Sequence, residues 1–405
     1  MLKDRDFIKF WVGQSISVFG SQFSPLAIGA IAFSIVGEDG FVFGVLQFIN
    51  TVPFLAFGLL VGVYVDRHRR RRILILSDLG RAFVLFLIPL SAVFLVVTMN
   101  LLYLVTLLAG ILTLFFEIAY QAYIPSLVQK AQIVEANSKL EASRATAQVA
   151  GPGAAGFAIS VLTAPIAVLA DTFGYVSSFL SLLLIRKPDV VENTGPQRST
   201  WHDVREGLSV VFGDPRLRSI AATTGTLNLF GSAAQALFFP YFLGTLRMTV
   251  PELGIAFAIG SVGGVVGALT ATRVAKRLGV GLSVILGALL SSFVWFSVYF
   301  ASPGNAFVIV VFANFVSSIG VLIYNITQVS YRQALVAREL QGRMNATMRT
   351  IVWGVIPLGS LAGGAISVLL GIHLTIGLMI LLSSLGFLWV VFSPLRRVRV
   401  FPSDS

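Results

Sequence analysis

Twelve stretches of about 20 or more mainly apolar residues run through this chain, and they restrict it to one kind of solvent. A helix crossing a hydrocarbon layer needs about 20 such residues. In lipid the backbone must satisfy its own hydrogen bonds, which a helix does internally. The apolar cores lie near residues 10–35, 41–64, 73–97, 101–122, 143–163, 166–185, 217–244, 251–272, 281–301, 305–330, 348–370 and 373–392. Only 12% of the 405 residues are charged, against about 25% in soluble domains. The expected class is an all-α integral membrane protein with twelve transmembrane helices. Span 1 exceeds the apolar core of a signal peptide, with no small-residue cleavage site after it, and is read as a retained helix.

The cations give the topology. The formal charge of +11 would suggest a nucleic-acid partner in a soluble protein. Here 27 of the 29 Lys and Arg residues fall on one side of the twelve spans, leaving only Arg81 inside span 3 and Arg247 in an opposite loop. That asymmetry predicts cytoplasmic termini, with a lipid bilayer rather than nucleic acid as the large partner. Absence of cysteine removes disulfides, thiolate metal sites and cysteine nucleophiles. His68, His202 and His373 are scattered, so no metal site, cofactor or enzymatic centre is expected.

The two halves repeat. Ala158-Ile-Ser-Val-Leu162 recurs as Ala365-Ile-Ser-Val-Leu369, and the same offset of 207 lays Asp66 on Arg273 and Arg70 on Arg277. The expected organisation is a six-helix bundle over 1–185, a cytoplasmic linker over 186–216, a second six-helix bundle over 217–395, and a tail over 396–405. In the linker, Ser199 or Thr200 is placed to cap a short helix. Trp201, Val204, Leu208, Val211 and Phe212 share one face of it, with Arg205 opposite. That pattern suits a helix on the inner leaflet, and better still one that ties the two halves together. Parallel six-helix repeats with a site near the midplane suit alternating access.

Between spans 2 and 3 lies Gly62-Val-Tyr-Val-Asp66-Arg67-His-Arg-Arg70-Arg71-Arg72. This G-x-x-x-D-R-x-x-R-R spacing resembles the same loop in the major facilitator superfamily. Further matches are Asp78-Leu-Gly-Arg81, Ala122-Tyr-Ile-Pro125, Gly151-Pro152-Gly153-Ala-Ala-Gly156, Ala170-Asp171-Thr-Phe, Gly342-Arg343-Met-Asn345 and Pro357-Leu-Gly359. Together they are similar to the twelve-helix drug:proton antiporter branch that includes macrolide-efflux and enterobactin-export proteins. The resemblance implies a monomeric, prokaryotic inner-membrane exporter with protons and a small amphiphilic molecule as its partners. It also implies that Asp66 latches a cytoplasmic gate, with Arg67 and Arg70 pairing across the bundle. Two departures stand out: Arg69 replaces the usual glycine of the loop, and span 4 lacks the R-x-x-x-G arginine of many drug antiporters.

Ionisable residues inside spans default to function, and away from their end residues the predicted spans hold four: Asp78, Arg81, Glu117 and Asp171. Asp78 and Arg81 are i,i+3 neighbours. Arg81 lies on the order of 12 Å into span 3 at 1.5 Å per residue, and Glu117 reaches a comparable depth on span 4. An Asp78–Arg81–Glu117 cluster is therefore expected. It would either exchange protons through an under-compensated carboxylate or brace the inner half. Asp171 stands apart, with no predicted basic span residue at its depth, and is a second proton-site candidate or a helix cap.

Thr249-Val-Pro251-Glu252 reads as a capping box opening span 8. Gly151, Pro152 and Gly156 are expected to let span 5 pack closely against its neighbours. The polar and aromatic candidates for a substrate cavity are Gln22, Gln47, Asn50, Asn228, Gln235, Asn314, Tyr324, Asn325 and Trp353, each of which would serve equally as a bridge between helices. A largely apolar cavity suits amphiphilic cargo. The competing expectations are a pump for one native cargo, such as a siderophore or lysolipid, and a non-transporting membrane sensor that keeps the fold.

Overall fold

The computed structural model describes residues 4–129, 132–187 and 200–402; the side chains of Leu59 and of residues 200–204 lie outside the description. No strand occurs among the described residues. The helices are α1 Arg5–Gly20, α2 Phe23–Val36, α3 Gly40–Arg67, α4 Arg70–Val93, α5 Met99–Leu127, α6 Ile133–Leu162, α7 Ala164–Leu183, α8 Thr200–Gly213, α9 Pro215–Pro240 and α10 Val250–Leu278. They continue as α11 Val280–Ser292, α12 Ala306–Leu335, α13 Arg338–Leu370, α14 Ile372–Ser384 and α15 Leu388–Val391. Short 3₁₀ segments extend α11 to Phe300 and join α14 to α15, while α1 and α2 run end to end as one span of 32 residues.

Among the described residues, eleven helical stretches are long and apolar enough to cross a membrane. The twelfth predicted span is α9, long enough at 26 residues but diluted by Thr223, Thr224, Thr226, Asn228, Ser232 and Gln235. Such groups are tolerable in a helix that turns them toward protein, and Thr223, Thr224 and Ser232 are buried.

Local chemistry sets the helix ends. Asp4 accepts from the backbone N–H groups of Asp6 and Phe7 to open α1, and Thr98 accepts from Leu101 N–H to open α5. The predicted capping box forms: Glu252 Oε2 accepts from Thr249 N–H at 2.7 Å, and Glu252 N–H donates back to Thr249 Oγ1 at 3.4 Å. Between α13 and α14 the chain turns at Gly371 with φ +76°, a conformation that costs an L side chain about 1–2 kcal/mol.

The chain forms two compact units. The first comprises residues 1–37, 49–194 and 249–258; the second comprises 38–48, 195–248 and 259–405. The first end of α3 thus belongs to the second unit, and the first turns of α10 to the first. Glycines permit both placements. A Cβ on Gly156 of α6 would lie 3.1 Å from Pro251 Cα and 3.2 Å from Gly254 Cα of α10, and one on Gly44 of α3 would lie 2.7 Å from Gly364 Cα of α13. Without side chains the backbones approach closely enough for dispersion to hold helices together in lipid.

In the first unit α7 packs against α1, α2 and α4, and α4 packs against α5. The core runs through Phe7, Phe10, Leu74, Leu114, Tyr123 and Leu182. Its cations gather at one end as helix caps. Arg71 donates from Nε to Leu182 O at 2.9 Å and from Nη2 to Leu183 O at 3.1 Å, while Lys9 Nζ donates to Leu184 O at 2.7 Å. Lys187 Nζ donates to Leu127 O at the end of α5. Cations at helix C-termini meet the negative end of the macrodipole.

In the second unit α9 packs against α13 and α14, and α11 against α12. The linker helix α8 is docked on α13. Val211 is buried in the core of this unit, Gly207 lies against the Arg343 backbone, and Glu206 pairs with Arg343. Leu208 and Phe212 remain exposed, so the buried face centres on Gly207 and Val211 rather than on the whole predicted stripe. The predicted cap at Ser199 or Thr200 and the side chains of Trp201, His202 and Val204 fall outside the described residues.

Candidate functional site

The buried charges of the first unit form a network across five helices. Asp78 and Arg81 on α4 are both buried, and Arg81 Nη2 donates to Asp78 Oδ1 at 2.5 Å. The guanidinium lies between two rings, 4.0 Å from the centroid of Phe116 on α5 and 4.1 Å from that of Tyr175 on α7. Each cation–π contact contributes about 0.5–2 kcal/mol. Asp78 Oδ2 accepts from Ser178 Oγ at 2.5 Å, and Ser178 accepts in turn from Gln14 Nε2 of α1 at 2.6 Å.

Asp171 stands one turn before Tyr175 on α7 and is 2% exposed. Its Oδ2 accepts from Ser24 Oγ of α2 at 2.5 Å, and its Oδ1 has no hydrogen-bond partner. Arg81 and Tyr175 are its electrostatic neighbours. One guanidinium therefore serves two buried carboxylates, one bonded directly and one held nearby.

This corrects the expected Asp78–Arg81–Glu117 cluster. Glu117 is half-buried and interacts with Tyr120, whose other charged neighbours are Glu141 and Arg144 of α6. The reason is helical phase: the preceding residue, Phe116, faces Arg81, and one residue further turns the side chain by about 100°. Asp171 also proves to have a basic neighbour, since Arg81 reaches across from α4.

The basic loop divides by role. Asp66 and Arg67 are exposed, Arg70 is half-buried, and Asp66 makes no hydrogen bond or ion pair among the described residues. Arg71, by contrast, caps α7. His68 Nδ1 meets Tyr64 O at 2.7 Å, and its ring stacks on Tyr64.

Several cavity candidates are bridges. In the first unit Gln22 donates to Val18 O at 3.3 Å and packs against Gly151, while Asn50 is exposed. In the second, Asn228 Nδ2 donates to Val352 O at 2.8 Å, joining α9 to α13, and the Tyr324 hydroxyl meets Thr224 Oγ1 at 2.6 Å. Asn314 packs against Gly260, and Gln47 is half-buried. Gln235, Asn325 and Trp353 are exposed, with Arg349 5.5 Å over the indole of Trp353. His373 bridges within its unit, stacked 4.2 Å from Tyr299 with Nδ1 2.9 Å from the Tyr241 hydroxyl.

Ser24, Gln14, Tyr175 and Ser178 were not singled out from the sequence. The positions 171, 175 and 178 do share one helix face at i, i+4 and i+7 spacing. Arg332, two residues beyond the predicted span 305–330, lies in the last turn of α12 and is buried.

The described helices thus form a multi-pass bundle with buried, mutually bonded charges inside its spans, where ionisable groups default to function. The chain belongs to the transmembrane secretion effector family (MFS_3), matched over residues 2–404. It is 26% identical over 272 residues to macrolide efflux protein A of Streptococcus pyogenes, a match covering 64% of this chain and 65% of that protein, a little under two thirds of its length. It is 27% identical over 368 residues to the multidrug efflux pump Tap of Mycolicibacterium fortuitum, covering 87% of this chain and 88% of the pump. The fold is similar to the nucleoside transporter NupG, with a TM-score of 0.76 at 13% identity over 96% of this chain and 98% of that one. It is also similar to a bacterial homologue of the iron transporter ferroportin in an inward-facing state, with a TM-score of 0.71 at 14% identity over 95% and 98%.

Proposed function

We propose that this protein is a proton-coupled exporter of amphiphilic organic molecules, of multidrug or macrolide type. It works as a monomer by alternating access in a prokaryotic inner membrane, with both termini cytoplasmic. The observation that carries the reading is Asp171, a carboxylate buried inside the bundle that accepts from Ser24 and has Arg81 and the Tyr175 hydroxyl as its other polar neighbours. It shares Arg81 with Asp78. A proton arriving at this carboxylate would leave Arg81 to Asp78 alone, and loss of that proton would restore competition for the guanidinium. Two charge arrangements of one network are what an ion-coupled conformational switch requires. Glu117, half-buried beside Tyr120, is the weaker coupling candidate. The names of the relatives support export of drug-like molecules, and the one-sided distribution of Lys and Arg supports the orientation.

The test is dye flux in liposomes with and without an imposed pH gradient. Asp171→Asn should abolish gradient-driven flux of a cationic dye while leaving dye binding within about threefold, and Glu117→Gln should retain it. Gradient-driven flux that survives in Asp171→Asn would remove the assignment. Flux indifferent to the gradient in the wild type would leave a facilitator. Absence of flux for every dye would favour a single native cargo or a non-transporting role.

A further inference from the structure

The second unit contains a cation that its described residues leave without a counter-charge. Arg332, in the last turn of α12, is 8% exposed. No carboxylate pairs with it among the described residues, Tyr324 is its charge neighbour, and its Nε has no hydrogen-bond partner. One turn earlier, Gln328 is 5% exposed; its Oε1 has no hydrogen-bond partner, and its Nε2 is the donor it would offer an oxyanion. Tyr324, Gln328 and Arg332 follow at i, i+4 and i+8 and so form one stripe on the helix. Thr224 of α9 closes the far end through the Tyr324 hydroxyl.

The ordinary duty of an arginine at this position would be to cap the end of its own helix. That duty is already filled: Gln341 Nε2 donates to Gln333 O at 2.8 Å and to Val336 O at 3.1 Å. A guanidinium stays charged at any physiological pH and does not escape burial by losing its proton. Its fork of N–H groups matches a carboxylate or phosphate, and burial strengthens such a charge-assisted pair.

We propose that Arg332 and Gln328 form an oxyanion-binding subsite on α12, which takes a carboxylate or phosphate group carried by an amphiphile or free in solution. The inference goes beyond the efflux reading, because it assigns anion chemistry to the half of the chain whose described spans carry no acid beyond their first turns, and it needs neither protons nor flux.

The experiment is titration calorimetry on the purified full chain in neutral detergent. The probes are inorganic phosphate, dodecyl phosphate and decanoate, with dodecyltrimethylammonium as the opposite-charge control. Wild type should bind at least one of the three anions. Arg332→Gln should weaken that binding tenfold or more, Arg332→Lys less, and Gln328→Leu several-fold, with the cationic control unaffected. Saturation by inorganic phosphate would identify a free oxyanion as the ligand. Saturation only by dodecyl phosphate or decanoate would identify the head group of an amphiphile.

The melting temperature separates a site from a structural arginine. Without ligand, Arg332→Gln should melt no lower than wild type, since it removes an unpaired buried charge, and it should lose the anion-induced rise. Equal anion affinity in wild type and Arg332→Gln, or no anion binding by wild type, would overturn the proposal. Should Arg332→Gln not fold, unchanged affinity in both Arg332→Lys and Gln328→Leu would do the same.

Discussion

Replacing Arg81 by Gln tests whether one buried guanidinium holds two carboxylates. Arg81 is 4% exposed and Asp78 is fully buried, so neither charge is relieved by water. Removing one partner of a buried ion pair costs about 3–5 kcal/mol, because the other is stranded. The ring contacts at 4.0 and 4.1 Å add about 0.5–2 kcal/mol each. A half of this chain has the size for which about 1 kcal/mol moves the midpoint by roughly 2–4 °C. Arg81→Gln should therefore lower the apparent melting temperature of the detergent-solubilised protein by roughly 10 °C or more, read by tryptophan fluorescence. Adding Asp78→Asn should recover at least half of that loss, because the stranded carboxylate becomes a neutral amide that still accepts from Ser178. Adding Asp171→Asn instead should recover less, since Asp78 is bonded directly and Asp171 only neighbours the guanidinium. The coupling energies from the two double-mutant cycles should rank in that order. A single variant within about 2 °C of wild type would refute the reasoning, as would a double variant with Asp78→Asn no more stable than Arg81→Gln alone.

Two local predictions follow from the linker and its junction. Gly207→Leu puts a side chain where a Cβ alone would lie 2.7 Å from Arg343 O; α8 should lift from α13, and tryptic cleavage at Arg205 should quicken several-fold, with unchanged digestion refuting the docking. Asp214 opens α9 by accepting from Arg216 N–H at 2.7 Å. The hydrogen bond from the Arg216 side chain, foremost, holds the Asp214 carboxyl below its ordinary value. Its contribution is therefore fully present above the ordinary carboxylate value near 3.9 and is lost as pH falls through the lower folded value. Asp214→Ala should cost about 0.5–2 kcal/mol at neutral pH, and its gap to wild type should narrow only as pH drops below about 4. A gap independent of pH would show that the carboxylate charge contributes nothing.

Much of this molecule was legible in the order of its residues, because the relevant physics is local. Apolar runs of membrane length, the capping box at Thr249 and Glu252, and cations ending one side of every span each depend on neighbours within a few positions. The pairing of buried charges depends on more. Depth along a helix follows from counting 1.5 Å per residue, and by depth alone Glu117 and Arg81 belonged together. Azimuth follows from which helix packs on which face: α5 turns Phe116 to Arg81, and α7 brings Asp171, ninety positions further along the chain, into its reach. Arg332 shows the same limit from the other direction. Counted as one more cation on the basic side, it is carried by the last turn of α12 into a buried environment where no described carboxylate pairs with it. Helix formation and membrane insertion are decided by the chain's own periodicity and transfer free energy, whereas the partner of a buried charge is decided by long-range packing.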